Sequence, residues 1–199
     1  MQWTQLKKRI ENGFARSVQG RVSVHAARYR HSHDSEGRGW ITLDKREIAS
    51  FATLGHWMAE WKLQTALREA NKCADYNDPA QNAGYHDAQR QANAVLLRQG
   101  SMTYDNLYYE LEGYLNLSIE QALDDDSVVM RALAVIDRRL GKRRLADFAL
   151  RVDELPLVTE LLAFRKEVEG IRAGGHEGLA VGKMRGLSRE IRENAGILF

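Results

Sequence analysis

Residues 39–72 read GWITLDKREIASFATLGHWMAEWKLQTALREANK, and the hydrophobic period changes inside them. Apolar residues from Trp40 to Leu43 are followed by a polar break, Asp44-Lys45-Arg46-Glu47, and then by Ile48 and Phe51. Two short apolar runs around such a break predict antiparallel strands joined by a tight turn near Asp44. From about residue 55, Trp57, Trp61 and Leu67 lie among strong helix formers, so the chain is predicted to turn helical and stay helical. The switch from a strand period to a helix period near residue 52 decides the fold class.

Upstream, Trp3, Leu6, Ile10, Phe14 and Val18 follow one another at spacings of three and four, which predicts one helix over residues 3–18, stopped by Gly20. The stretch RVSVHAARYRH alternates, with Val22, Val24 and Tyr29, and reads as a first strand. A longer loop, SHDSEGRG, leads to the strand containing Trp40. The expected architecture is therefore α+β: an N-terminal helix with a small three-stranded antiparallel sheet, then a helical array in which HEAT-like stacking is one option. The expected division is 1–54 for helix and sheet, 55–171 for the array packed on it, and 172–199 for a Gly-rich link with a short C-terminal helix at 187–194.

Inside the array, Pro79 and Gly84 read as a break, and Gly100 as the end of the following helix. Helices are expected within 104–123 and near 127–140, 142–150 and 156–170. Shifting 124–143 by 29 residues onto 153–172 matches Asp124, Val129, Leu133, Ala134, Gly141 and Arg143 to Asp153, Val158, Leu162, Ala163, Gly170 and Arg172. Such a match fits stacked helical units, and it also fits any two amphipathic helices. The aromatic set Trp57, Trp61, Tyr76, Tyr85, Tyr104, Tyr108, Tyr109 and Tyr114 is expected to be mostly core, with a few tyrosines as surface anchors for a partner. The tail ends in the apolar GILF, which suits docking on the core or on a partner.

The chain has 199 residues and a net charge of +2, too little for the strong positive field of a dedicated nucleic-acid binder. Cys73 is alone, so no internal disulfide forms and a reducing compartment fits; near Lys72 it reads as a bystander thiol. The start lacks a signal peptide's apolar run, and no stretch approaches the roughly 18 apolar residues of a membrane span, so the cytoplasm is the expected location.

Charge is segregated. Residues 101–126 hold seven acids and no Lys or Arg, whereas 127–144 hold six bases against Asp137 alone. Asp124-Asp125-Asp126-Ser127 before an apolar run reads as a helix cap, and the bases of DRRLGKRR suit that helix's negative end. If helix continued through Gly141, Arg138, Arg139, Lys142 and Arg143 would share one side as a basic ridge. Folding the acidic run back on it would cancel most of its field, so these cations are expected to serve folding and a protein contact.

YLNLSIEQALDDDSVVMRALAVIDRRLGKRRL at 114–145, with WTQLKKRIENGFARSVQGRVSVHAARYRH at 3–31 and GWITLDKREIASF at 39–51, resembles a family of small bacterial proteins designated by a locus tag. The segments RALAVIDRRLGKRRL and RYRH are its most specific parts, and the likeness runs to about residue 171. The resemblance implies a bacterial, cytoplasmic α+β protein and brings no catalytic residues.

Two constellations could carry chemistry. His31 and His33 sit two apart, on one side of an extended segment, and with Asp34 could hold a divalent metal; a solvated polar loop is the competing reading. Arg28, Tyr29, Arg30 and Trp40, within a locally basic 1–47, could hold phosphates and stack bases on a sheet; cross-strand packing is the competing reading. No phosphate-binding glycine loop, nucleophile elbow or cofactor motif is present, so no cofactor is expected. The expected function is a non-enzymatic protein-protein interaction or regulatory module. A nucleic-acid-binding accessory protein is the alternative, and a metal-dependent hydrolase comes third.

Overall fold

A computed structural model describes residues 1–29 and 37–171. The elements run α1 (Trp3–Gly13), β1 (Val22–Arg28), β2 (Gly37–Leu43), β3 (Arg46–Ala52), α2 (Thr53–Ala70), α3 (Pro79–Arg98), α4 (Tyr104–Tyr114), α5 (Ile119–Asp124), α6 (Val128–Ile136), α7 (Lys142–Asp147) and α8 (Pro156–Val168). The class is α+β, with one antiparallel sheet in the order β1-β2-β3.

The tight turn is a two-residue hairpin. Asp44 (φ 49°) and Lys45 (φ 66°) both take positive φ, the backbone of the primed turns that match strand twist. Arg21 clamps this unfavourable turn with two bonds to Asp44, Nε to Oδ1 at 2.8 Å and Nη2 to Oδ2 at 2.6 Å. Its guanidinium also lies 4.5 Å from the centre of the Phe164 ring, which ties the hairpin to α8.

Period two sorts the sheet into faces. Val22, Val24, Ile41 and Phe51 are buried against the helices, while His25, Arg38, Trp40 and Ser50 face outward. Two glycines let α4 lie directly on the buried face. A Cβ at Gly37 would stand 2.6 Å from the Tyr104 ring, and one at Gly39 would stand 2.1 Å from Leu107 Cδ2. A side chain at Gly37 would displace Tyr104 down to its Cβ, and one at Gly39 would displace the end of Leu107.

The α1 stripe is buried through Leu6, Ile10, Phe14 and Val18, but the helix ends at Gly13, five residues short of the expected span. Phe14 turns extended and bridges Asp137; Arg138 N donates to Gly13 O (2.9 Å) and Ala15 N to Ile136 O (2.8 Å). Pairing with the 136–138 segment outcompetes another helical turn and keeps Phe14 and Val18 in the core.

The expected break exists, but at residues 71–78, between α2 and α3, and both Pro79 and Gly84 lie inside α3. Asp78 caps α3 by accepting from Ala80 N, and Pro79 occupies the first turn, where its missing N–H costs nothing. Gly84 sits inside the helix because Cys73 approaches it; a Cβ there would lie 3.0 Å from Cys73 Cβ. Gly100 (φ 76°) ends the α3 region in the left-handed conformation, as expected.

The main core draws on α1, the three strands and α4 to α8, with no contribution from residues 53–98. The α2–α3 hairpin stands beside that core. It packs on itself through Ala88, Ala92 and Leu96 and touches the sheet through the start of α2, where His56 Nδ1 lies 3.2 Å from Ser101 Oγ. In the shifted match, α6 falls on α8, and these two helices pack together. Their glycines differ: Gly141 (φ −67°) opens a helix, whereas Gly170 (φ 69°) follows one.

Candidate functional site

The basic segment is dismantled by the fold. Ser127 caps α6 as expected, accepting from Val129 N and Met130 N. The helix then stops at Ile136 with no base in its last turn, and Gly141 is extended (ψ 158°). The continuous ridge of Arg138, Arg139, Lys142 and Arg143 therefore does not form. The cause is Asp137, whose Oδ1 accepts from Arg139 N at 2.7 Å and turns the chain out of the helix.

Asp137 is 3% exposed and organises its surroundings. Tyr114 Oη donates to its Oδ2 (2.6 Å), and Arg139 grips both oxygens through Nε (3.1 Å each) and Oδ2 through Nη2 (2.9 Å). Burial, then the bond to this carboxylate, hold the Tyr114 hydroxyl well above the usual phenol range; the same carboxylate raises the Arg139 guanidinium. Behind the chain, Arg165 of α8 is 2% exposed and donates to the carbonyls of Val135 (2.9 Å), Asp137 (2.8 Å) and Leu140 (2.5 Å). It stands in for the backbone partners that the end of α6 lacks. Arg131 is buried too, paired with Glu154 and bonded to Leu123 O.

The remaining cations of the segment go separate ways. Lys142 reaches Glu169 O (3.3 Å), Arg144 pairs with Glu120 (2.9 Å), and Arg143 has no ion-pair partner among the described residues. Glu120 is the one member of the acidic run seen paired with this segment. Asp105 meets Arg28, Glu112 meets the N-terminus, and Asp124 and Asp126 flank Arg151. Between the end of α1 and the Asp137 turn lies a cleft of about 320 Å³, lined by Arg9, Ile10, Asn12, Gly13, Tyr114, Leu115, Asp137, Arg138 and Arg139.

The predicted basic and aromatic sheet surface divides between two faces. Arg28 turns to the helix side, 3.1 Å from Asp105 and 5.4 Å from the Tyr104 ring centre. Trp40 faces outward, stacked on the cross-strand His25 with centroids 5.1 Å apart and planes 9° apart, and Arg38 lies 5.3 Å from its ring. His25 Nε2 is 3.0 Å from Thr42 Oγ1; burial and then Lys7 hold its imidazole below the usual range. Arg38 is tied to Glu47 (2.5 Å) and Ser50 (3.0 Å). Tyr29 is exposed. Arg30, His31, His33 and Asp34 lie outside the described residues. Among the described residues, no group of three or more His, Cys, Asp or Glu is placed to hold a metal.

The feature that sequence reasoning missed is on α2. Leu54, Trp57, Met58 and Trp61 recur at helical spacing, and all four point to solvent, with exposures of 50%, 41%, 53% and 62%. The aromatic set is thus not mostly core: Tyr104 and Tyr114 are buried, while Trp57, Trp61, Tyr76 and Tyr109 are exposed. The spacing was visible in the sequence. It identifies an apolar face, but not which side of the helix the core takes. Toward α3, the Arg68 guanidinium lies 3.3 Å from the Tyr85 ring centre, and α3 buries Ala88, Ala92 and Leu96.

No helix among the described residues is long and apolar enough to cross a membrane. No curated protein and no solved structure matches the chain. The SF0329 protein family does match it, over residues 2–166, and the chain belongs to that family.

Proposed function

We propose that this is a non-enzymatic interaction module of the bacterial cytoplasm, and that the outer face of α2 receives an amphipathic helix of a protein partner. The observation that carries the reading is the exposed quartet Leu54, Trp57, Met58 and Trp61. A tryptophan side chain offers roughly 150–250 Å² in full, of which Trp57 and Trp61 leave about half exposed. Two tryptophans with a Leu and a Met therefore make an apolar patch of several hundred Å², the size of functional patches on monomeric proteins. Its shape is one helix wide, which suits ridge-into-groove packing of a second helix. Tryptophan is also the residue most often found at the energetic centre of an interface.

Affinity purification from the native cell, with and without nuclease, tests this reading. Trp57→Ser/Trp61→Ser should keep the fold, since both residues lie outside the core, and should lose a nuclease-resistant partner. Light scattering on the purified chain separates a partner from a second copy. A monomer whose co-purifying proteins are unchanged by the double substitution would sink the proposal.

The stacked His25–Trp40 pair beside Arg38 favours one second reading, a nucleic-acid-binding accessory role in which a base joins the stack. Binding that disappears with nuclease, and with Trp40→Ala, would raise it to first place.

A further inference from the structure

We propose that the cleft between the end of α1 and the Asp137 turn is a binding site for the phosphoryl group of a small phosphorylated molecule. This stands on a different surface from the α2 face and does not depend on it.

The argument is one of charge without a partner. Three arginines are among the residues that line the cleft, Arg9, Arg138 and Arg139. Its only carboxylate among the described residues, Asp137, is already engaged by Tyr114 Oη and by the backbone and side chain of Arg139. Arg138 uses its backbone N–H on Gly13 O, and its guanidinium has no ion-pair partner among the described residues. Among the described residues, Arg9 makes only a weak contact, with Met1 Sδ at 4.0 Å. Like charges facing a concave surface focus a positive potential into it and draw in an anion.

Arg139 is preorganised for this role. Asp137 holds one side of its fork, Leu117 O takes Nη1 at 2.7 Å, and the Tyr114 ring lies 5.4 Å beneath. One N–H on each terminal nitrogen stays uncommitted. With the two unpaired guanidiniums, these give more donors than a carboxylate can accept and suit the three oxygens of a phosphate dianion. The volume, about 320 Å³, stands at the lower end of ligand pockets, and Ile10 and Leu115 offer an apolar wall to a small substituent. Burial, then its bond to Asp137, keep the Tyr114 hydroxyl protonated and committed to that carboxylate.

Inorganic phosphate is the probe, titrated at low ionic strength into the full chain and followed by calorimetry and by the unfolding midpoint, with acetate and chloride at matched ionic strength. Phosphate should bind and raise the midpoint, and acetate should do so far less. Arg9→Gln/Arg138→Gln should weaken phosphate by about tenfold or more. Both side chains are exposed, so the fold should be untouched. Gly13→Leu should weaken it too without changing charge, because a Cβ there points at the cleft floor, 3.9 Å from Asp137 Oδ2. Arg143→Gln, outside the cleft, should bind as the wild type does. Equal affinity in the wild type and the double variant would overturn the site, as would equal weakening by Arg143→Gln. A short single-stranded oligonucleotide that binds more tightly than phosphate, and loses that affinity with Arg9 and Arg138, would overturn the small-molecule assignment in favour of backbone recognition. If Gly13→Leu fails to fold, the double arginine variant decides alone.

Discussion

Arg165→Met should cost this protein a large share of its stability. The side chain is 3% exposed and makes four bonds: to the carbonyls of Val135, Asp137 and Leu140, and to Glu169 Oε1 at 3.0 Å. A hydrogen bond to a charged group contributes about 1.5–3 kcal/mol, and an orphaned buried acceptor costs about 1–3 kcal/mol. Methionine fills most of the volume, so the loss is polar. Three carbonyls abandoned together, with partial relaxation, give about 5 kcal/mol, comparable with the whole stability of many domains at about 5–15 kcal/mol. Urea unfolding followed by tryptophan fluorescence measures it. With a slope of about 2–3 kcal/mol/M, the midpoint should fall by about 2 M. Arg165→Lys should recover little, because a point charge cannot reach three carbonyls arranged around a planar fork. Adding Glu169→Gln to Arg165→Met should recover part, since it removes a carboxylate that is 7% exposed and left without its cation, while Ser17 Oγ, 2.8 Å away, still has its acceptor. A fall below about 1 kcal/mol for Arg165→Met would refute the claim that this guanidinium caps α6.

Three further outcomes are expected. Arg131→Met alone should lose about 3–5 kcal/mol by stranding the buried Glu154, whereas Arg131→Met/Glu154→Leu should sit within about 1–2 kcal/mol of the wild type; a double-mutant cycle in urea checks this. Gly39→Ala should destabilise by about 1–3 kcal/mol through the clash with Leu107, and Leu107→Ala on that background should cost less than it does alone. His25 has a folded pKa below its unfolded value near 6.5, so its neutral form is favoured in the native state. Its contribution is complete above that unfolded value and is lost as pH falls through it toward the folded one. His25→Phe, which preserves stacking on Trp40, should therefore show a smaller loss of stability between about pH 7 and pH 5, measured by thermal unfolding.

How much of this could be read beforehand depended on whether the signal was local. Turn chemistry, strand alternation and helix caps involve neighbours in sequence, so the hairpin at Asp44, the sheet order and the Ser127 cap were legible. What escaped were decisions made between distant segments. Gly84 and Pro79 look like breakers until Cys73 and the Asp78 cap supply the reasons for them. The α1 stripe runs on in phase through Phe14 and Val18, although pairing with residues 136–138 has already ended the helix. Periodicity reports that a residue is buried more faithfully than it reports the backbone that buries it.

The charged segment shows the same limit with more consequence. Five bases within 138–144 suggest one surface with one purpose. A side chain's role is set by what stands opposite, and here the partners come from far away: Leu117 and Tyr114 for Arg139, Glu169 for Lys142, Glu120 for Arg144. Because Asp137 turns the chain, Arg138 alone of these bases joins Arg139 at the mouth of a cleft whose third cation, Arg9, comes from α1. Charge that seemed contiguous in sequence is dispersed, and charge that seemed unrelated converges. The α2 face makes the complementary case. Its four apolar residues were plain in the sequence, yet they became informative only once the core closed without them.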